Sequence, residues 1–175
     1  MNTDILHLTS SRLHYEPIGS MYLVDVFQHF TPEVARYTFP QPTGNMHDTR
    51  AFIDRAAAQM REGTDWQVVV LQRDTHEFVG CAGLHHLDTP YPEPGLWLRA
   101  SMWGQGYGTE TVQTLIRFAN THVQYEYLHY PVCEDNIGSR KIAEKCGGIL
   151  QPGVREVQNM SGTTLREVVY HIPTC

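Results

Sequence analysis

The chain has 175 residues, 41% of them hydrophobic, which is enough to bury a core in one domain spanning 1–175. Thirteen basic residues against nineteen acidic ones give a net charge of -6, which argues against a nucleic-acid partner. The four cysteines show no Cys-x-x-Cys spacing, and neither a secretion signal nor an apolar run long enough to span a membrane is present. We therefore expect a cytoplasmic protein with reduced thiols and no membrane partner.

The first half of the chain predicts alternating strands and helices. Apolar residues recur at helical spacing in two segments, and Pro32 and Gly63 provide their end signals. In chain order, the predicted elements are a strand at Arg12–Pro17, a helix opening at Gly19 and Ser20, a helix at Asp48–Glu62, and a hairpin of Gln67–Gln72 and Phe78–Leu87.

The second half predicts two further helices and four strands. Prolines and a glycine between Pro90 and Gly95 predict a stiff connection, after which the helix near Thr109 has a clear apolar face. In chain order, the predicted elements are strand Leu96–Leu98, the helix near Thr109, strand Leu128–Cys133, a helix between Asn136 and Gly147, and a closing pair of strands at Ile149–Val154 and Leu165–Ile172.

A glycine-rich loop, Trp103–Gly108, lies between a predicted strand and a predicted helix. Its three glycines allow close approach of the backbone to an anion, and the first N–H groups of the following helix have no partner inside that helix. The helix dipole adds positive potential at the same place, so the loop predicts a pyrophosphate site.

A second motif follows about thirty residues later, where Asn136 is a candidate N-cap and Ser139 lies in the first turn of a short helix. Together the two motifs resemble the GCN5-related N-acetyltransferase (GNAT) family. Its cofactor loop has the pattern Gln/Arg-x-x-Gly-x-Gly/Ala, and its next helix begins with Asn-x-x-Ser. The opening segment, Thr9–Pro17, is similar to that of the branch that acetylates ribosomal-protein N-termini.

The resemblance implies an α/β (α+β) fold: a single mixed, mostly antiparallel sheet of about seven strands, with splayed central parallel strands and about four flanking helices. It also implies transfer of an acetyl group from acetyl-CoA to a primary amine, on a small molecule or a protein N-terminus. The implied cofactor-binding residues are Leu96, Trp97 and Leu98 for the pantetheine amides, Gly104, Gln105, Gly106, Tyr107, Gly108 and Thr109 for the pyrophosphate, and Asn136 and Ser139 for the pantetheine or the thiol.

The chain departs from the family at three positions. Trp103 stands where the loop usually has Gln or Arg, and the usual basic glutamate and acidic tyrosine are replaced by Pro131 and Ala143. Because an amine must lose a proton before it attacks, other residues must serve as acid and base, or catalysis depends on proximity alone. The catalytic candidates are His129 as the preferred base, His86 and Glu93 as alternative bases, and Ser139 as the partner of the thiol.

Pro131 leaves two interpretations open, since proline is normally excluded from a central strand. Either it faces the open side between the splayed strands, or the strand begins after it. Function also has an alternative, a catalytically degenerate acyl-CoA-binding module, which the missing Glu and Tyr favour. The histidines and cysteines show no zinc-like pairing, so no metal is expected, and a two-fold homodimer is possible through the closing strands.

Overall fold

The computed structural model describes residues 8–174 of the chain. The strands in this range are β1 (Leu8–Thr9), β2 (Leu13–Pro17), β3 (Trp66–Gln72), β4 (Phe78–His85), β5 (Glu93–Leu98), β6 (Tyr127–Cys133), β7 (Ile149–Leu150), β8 (Arg155–Gln158) and β9 (Thr164–Pro173). The α-helices are α1 (Leu23–His29), α2 (Met46–Glu62), α3 (Tyr107–His122) and α4 (Ile137–Lys145), and short 3-10 turns occupy Ser20–Tyr22 and Ala100–Met102.

The strands form two antiparallel sheets. The first has the order β1-β2-β3-β4-β5, and in the second β9 pairs with β6, β7 and β8. The predicted mixed α/β architecture with four helices is therefore confirmed. We predicted one sheet, but β5 and β6 belong to different sheets because no ladder of hydrogen bonds joins them. These are the strands that were predicted to be splayed.

Several predicted boundaries are corrected by the structure. β5 begins at Glu93 rather than Leu96, because the proline-rich segment before Leu96 pairs with β4. Helix α3 begins at Tyr107, two residues earlier than predicted, since Gly106 adopts a left-handed φ of 82° and acts as its N-cap. The predicted strand Ile149–Val154 is split into β7 and β8.

Two hydrophobic clusters cover opposite faces of the first sheet. On one face, side chains of α3 pack on β3 and β4, and the rings of Trp66 and Phe118 stack with centroids 3.9 Å apart. On the other face, α1 and α2 pack on Val69, Leu71 and Cys81. Because side chains alternate along a strand, each residue of β4 and β5 belongs to one face or the other.

The gap between β5 and β6 explains Pro131. The N–H of His129 donates to the carbonyl of Pro92, 2.9 Å away, so His129 directs its backbone toward the β5 side. Residues two apart in a strand direct their backbone groups the same way, so the ring nitrogen of Pro131 also faces the gap. Pro131 thus lies inside β6, opposite Val169, without costing the ladder a hydrogen bond. The interpretation that the strand begins after Pro131 is wrong.

Candidate active site

A cavity of about 680 Å³ occupies the gap and reaches both faces of the sheets. On the side of α3 and α4 its walls include Leu96, Tyr130, Val132, Asn136 and Ser139. On the side of α1 and α2 its walls include Phe27, Phe30, His85, Glu93 and Trp97. A cavity open to both faces allows one substrate to enter from each side and the two to meet in the gap.

The backbone of β5 presents unpaired groups to this gap. The N–H of Arg99 donates to the carbonyl of Val79, 3.0 Å away, so alternation places the backbone groups of Leu96 and Leu98 on the gap side. Trp97 faces Cys81 of β4, so its backbone belongs to the ladder. The prediction that the backbone of Trp97 binds pantetheine is therefore wrong. The backbone groups of Leu96 and Leu98 remain candidates for that role.

Trp103, the departure from the family pattern, has a local structural role. Its indole Nε1–H donates to the carbonyl of Leu98, 2.8 Å away, and about half of the residue is exposed. This bond ties the glycine-rich loop to the end of β5. It also occupies one of the carbonyls that faces the gap, which leaves the N–H of Leu98 and both backbone groups of Leu96 on that side.

The glycine-rich loop has the backbone that an anion site needs. Gly104 and Gly106 adopt left-handed φ angles of 72° and 82°, and no side chain caps the first turn of α3. The N–H groups at Tyr107, Gly108 and Thr109 therefore have no partner from a capping side chain. Gly108 has another reason to be glycine, because a Cβ there would lie 2.6 Å from Cδ1 of Ile142 on α4.

Arg12, which the sequence analysis did not select as a site residue, precedes β2 and contacts this loop. Its guanidinium donates to the carbonyl of Gln105 at 3.0 Å and lies 4.5 Å from the centre of the Tyr107 ring. Its Nε and Nη2 contact Glu110 of α3 at 2.8 and 2.7 Å. Burial acts to raise the pKa of Glu110, but the bonds from Arg12 and Ser10 outweigh it and lower that pKa. Glu110 therefore stays ionised and holds Arg12 at the loop.

Helix α4 places a hydroxyl pair at the cavity. Asn136 is its N-cap, and the side chain accepts a hydrogen bond from the N–H of Ser139 at 3.1 Å. The hydroxyl of Ser139 lies 2.8 Å from that of Tyr130, which comes from β6. Burial raises the pKa of Tyr130 to about 12, so its phenol remains protonated and can donate. Tyr130 was not selected from the sequence, where the family's tyrosine position holds Ala143.

At the other end of the cavity, Glu93 and His85 are directly opposite each other on β5 and β4. Burial raises the pKa of Glu93, although the nearby histidines act in the other direction. No hydrogen bond or ion pair to the Glu93 carboxylate is found within residues 8–174. His85 is oriented by the buried Asp65, whose Oδ1 lies 3.4 Å from its Nδ1. The predicted candidate Glu93 thus lines the cavity, next to a histidine that we had not chosen.

The other two predicted bases do not line the cavity. His86 has a left-handed φ of 58°, and its N–H donates to Asp65 at 3.0 Å, so the chain turns at this residue. The preceding residue, His85, lines the cavity instead. His129 lies near His171, with ring centroids 5.9 Å apart, beyond the cavity walls. Burial, followed by the charges of Arg155 and His171, lowers the pKa of His129. The geometry therefore favours Glu93 over both histidines.

Asp65 gives a prediction about stability. Burial acts to raise its pKa, but the bonds from His85 and His86 lower it overall, so its ionised form stabilises the fold. We expect Asp65→Ala to lower the free energy of unfolding by about 1–3 kcal/mol at pH 7 in urea titrations, because the N–H of His86 loses its charged hydrogen-bond partner. A lowered folded pKa gives stabilisation that is present above the unfolded pKa of about 3.9 and is lost as pH falls below it. The difference in the free energy of unfolding between Asp65→Ala and the wild type should therefore shrink below about pH 4. As a control, Asp54→Ala, at an exposed position, should have little effect at either pH. A constant difference across this range would contradict the assignment.

Within residues 8–174, no group of three or more His, Cys, Asp or Glu side chains is arranged to hold a metal ion. None of the helices in that part of the chain is both long enough and apolar enough to cross a membrane. Cys133 lines the cavity as a buried free thiol, in keeping with a small packing residue.

The comparisons with known proteins agree with this architecture. The model of the acetyltransferase (GNAT) domain matches residues 12–149. An uncharacterised N-acetyltransferase, p20 of Bacillus licheniformis, is 26% identical over 113 residues, which is 63% of this chain and 64% of that protein. The match thus covers less than two thirds of that relative's length.

Two solved structures have similar folds. A ribosomal-protein α-N-acetyltransferase in complex with coenzyme A superposes with a TM-score of 0.84 at 16% identity, covering 95% of this chain and 96% of that one. A microcin self-immunity acetyltransferase in complex with acetyl-CoA and AMP gives 0.83 at 15% identity, covering 94% and 93%. With the family model matching most of the residues from β2 to β7, the chain belongs to the GNAT acetyltransferase family.

Proposed function

We propose that this protein transfers the acetyl group of acetyl-CoA to a primary amine by direct attack within a ternary complex. The observation that carries the proposal is the cavity through the gap between β5 and β6. It has a carboxylate with a raised pKa at one end, Glu93, and the hydroxyl pair of Ser139 and Tyr130 at the other. These are the two kinds of group that acyl transfer to an amine requires.

The residues present fit acetyl-CoA as the acetyl donor. The left-handed glycines and the uncapped start of α3 suit a pyrophosphate, and the gap-facing backbone groups of Leu96 and the N–H of Leu98 suit the amides of pantetheine. Ile142 packs on Gly108 one turn after Ser139, so the loop and the cavity are neighbours along α4. Acetyl-CoA supplies the activated thioester, and the chain binds and orients it.

On the acceptor side, Glu93 takes the proton that the amine must lose, either directly or through a water. Its raised pKa brings the carboxylate closer to the pKa at which a base works well near neutral pH. His85, held by Asp65, lies beside it and can share or pass on that proton. On the thiol side, Ser139, hydrogen-bonded to the protonated Tyr130, donates to the departing sulfur.

The function is tested by acetyl-CoA binding and by coenzyme A release with a panel of amines. Calorimetry should give micromolar or tighter binding, and chromatography should show coenzyme A and the N-acetyl product appearing in equal amounts. Binding with no release for any amine would support the acyl-CoA-binding module instead. No binding of acetyl-CoA or coenzyme A would overturn both.

Ser139→Ala should lower kcat by about 10-fold, less than the 10²-fold typical of a lost acid, because the Tyr130 hydroxyl remains within reach through a water. The affinity for acetyl-CoA should change little, since the backbone holds the pyrophosphate. Steady-state kinetics check this, with Ser20→Ala, an exposed serine before α1, as control. If Ser139→Ala and Tyr130→Phe act as one unit, the double variant loses no more than the larger single loss. Additive losses would separate their roles.

We also propose a cytoplasmic location and a two-fold dimer. Exposed Ile149 and Leu150 of β7 provide apolar surface beside the closing strands. Sedimentation at tens of micromolar would decide between a dimer and a monomer without affecting the enzymatic proposal.

A further inference from the structure

Strands β4 and β5 form the floor of the acceptor side of the cavity. Three cross-strand pairs of β4 and β5 face α1 and α2: Cys81 with Trp97, Gly83 with Gly95, and His85 with Glu93. The middle pair consists of two glycines, whose missing side chains leave room for the imidazole of His85 over Gly95 and for the side chain of Gln67 over Gly83. A Cβ at Gly95 would lie 2.9 Å from Nε2 of His85, so this position has no room for a larger residue.

The two ends of this floor differ in chemistry. At one end the carboxylate of Glu93, for which residues 8–174 provide no hydrogen bond or ion pair, lies beside His85. At the other end Trp97 packs against Phe30, the residue after α1, with ring centroids 5.1 Å apart, and both line the cavity. Glu93 and Trp97 are four residues apart on one strand and one face, a span of roughly 13 Å. That length suits an amine joined to one aromatic ring by a short linker.

The mouth of this half is restricted by two distant parts of the chain. Phe39 and Met160 both line the cavity, and the N–H of Met160 donates to the carbonyl of Phe39 at 3.0 Å. This bond links the segment between α1 and α2 to the turn between β8 and β9. Such a bridge favours a small molecule over the terminus of a folded protein.

We propose that the acceptor is a small arylalkyl amine, with its amine at Glu93 and its ring against Trp97 and Phe30. The proposal rests on the acetyl transfer proposed above and names its substrate class. In the reaction, the nitrogen forms a bond to the thioester carbonyl carbon and the carbon–sulfur bond breaks. The proton that the nitrogen loses goes to Glu93, which releases it to solvent. The sulfur leaves with the electron pair and takes a proton from Ser139, which regains one from solvent, and an N-acetyl amide and coenzyme A result. The ring contributes selectivity by burying apolar surface against Trp97 and Phe30.

The test compares kcat/KM for phenethylamine, n-butylamine and a hexapeptide that begins with serine. We expect phenethylamine to exceed each of the others by at least about 10-fold, in line with burial of one ring. Phe30→Ala should lower kcat/KM for phenethylamine by about 10-fold and change that for n-butylamine by less than about 3-fold, because only the ring reaches Phe30. Val24→Ala, at an exposed position of α1 outside the cavity, is the matched control.

The outcomes separate this proposal from the function on which it rests. Turnover that is equal or better with n-butylamine or the peptide would overturn the arylalkyl class and leave acetyl transfer intact. An equal loss for all amines in Phe30→Ala would also overturn it, and circular dichroism would check that the variant is folded. Absence of coenzyme A release with every acceptor would overturn the acetyl transfer, and with it the substrate class.

Discussion

Glu93→Gln is expected to lower kcat/KM by roughly 10²- to 10⁴-fold at neutral pH, the contribution of a positioned base. Glutamine has nearly the same shape, so the cavity keeps its form while the proton acceptor is lost. The affinity for acetyl-CoA should stay within a few-fold of the wild type, because the glycine-rich loop does not line this part of the cavity. Steady-state kinetics and calorimetry on the same samples measure both quantities.

The pH dependence gives a second readout of Glu93. A base must be deprotonated to act, so kcat/KM should fall as the pH drops through its pKa. Because burial raises that pKa, the acidic limb should lie above the range of an ordinary carboxyl, and Glu93→Gln should remove it. Since a raised pKa means that the ionised carboxylate destabilises the fold, the variant should unfold at the same or higher urea concentration near neutral pH.

Two sets of variants serve as controls for Glu93. Glu156→Gln changes an exposed carboxylate of β8 and should leave the profile unchanged. His129→Ala changes the base preferred from the sequence and His86→Ala changes an alternative base, and both histidines lie outside the cavity walls. If either histidine variant removes the acidic limb while Glu93→Gln retains it, the assignment of Glu93 is wrong.

Gly106→Val is expected to weaken acetyl-CoA binding by roughly 10²-fold, equivalent to about 2.7 kcal/mol. Gly106 has a φ of 82° at the start of α3, a conformation that a β-branched residue rarely adopts. The substitution therefore disturbs the N–H groups that face the anion, and a Cβ would already lie 3.4 Å from the Arg12 guanidinium. Calorimetric titration with acetyl-CoA measures the loss.

A matched control separates binding from backbone strain. Gly162 has nearly the same φ, 81°, in the turn before β9, and open space around its Cβ position. Gly162→Val should lower thermal stability by an amount similar to Gly106→Val, but only the latter should weaken acetyl-CoA binding. Unchanged affinity in Gly106→Val would mean that the pyrophosphate site is elsewhere.

Features that depend on neighbours within one turn were readable in the sequence. Asn136 caps α4 through the N–H of Ser139, and Gly63 ends α2 in a left-handed conformation. Both residues interact with groups three or four positions away, so a short stretch of sequence includes both partners and predicts the interaction. The same holds for the loop before α3, whose glycines lie next to the helix that they start.

Strand register decided which histidine reaches the cavity. His85 and His86 are adjacent, and only the pairing of His85 with Glu93, together with the left-handed turn at His86, places the first of them inside. Adjacent residues of a strand face opposite sides, so a shift of one position would reverse the choice. Sequence alone does not set that register.

The sequence by itself determined the family, the four helices and the glycine-rich loop at the start of α3, and it gave Glu93 as one candidate base. The tertiary structure decided how distant residues meet: Arg12 with Glu110, Tyr130 with Ser139, and Asp65 with His85. It also decided that Pro131 faces a gap rather than a neighbouring strand. The physical reason is the sequence distance between interacting residues. Helix caps and glycine turns depend on contacts within a few residues, whereas the cavity walls depend on how two sheets and their helices, formed by distant parts of the chain, pack together.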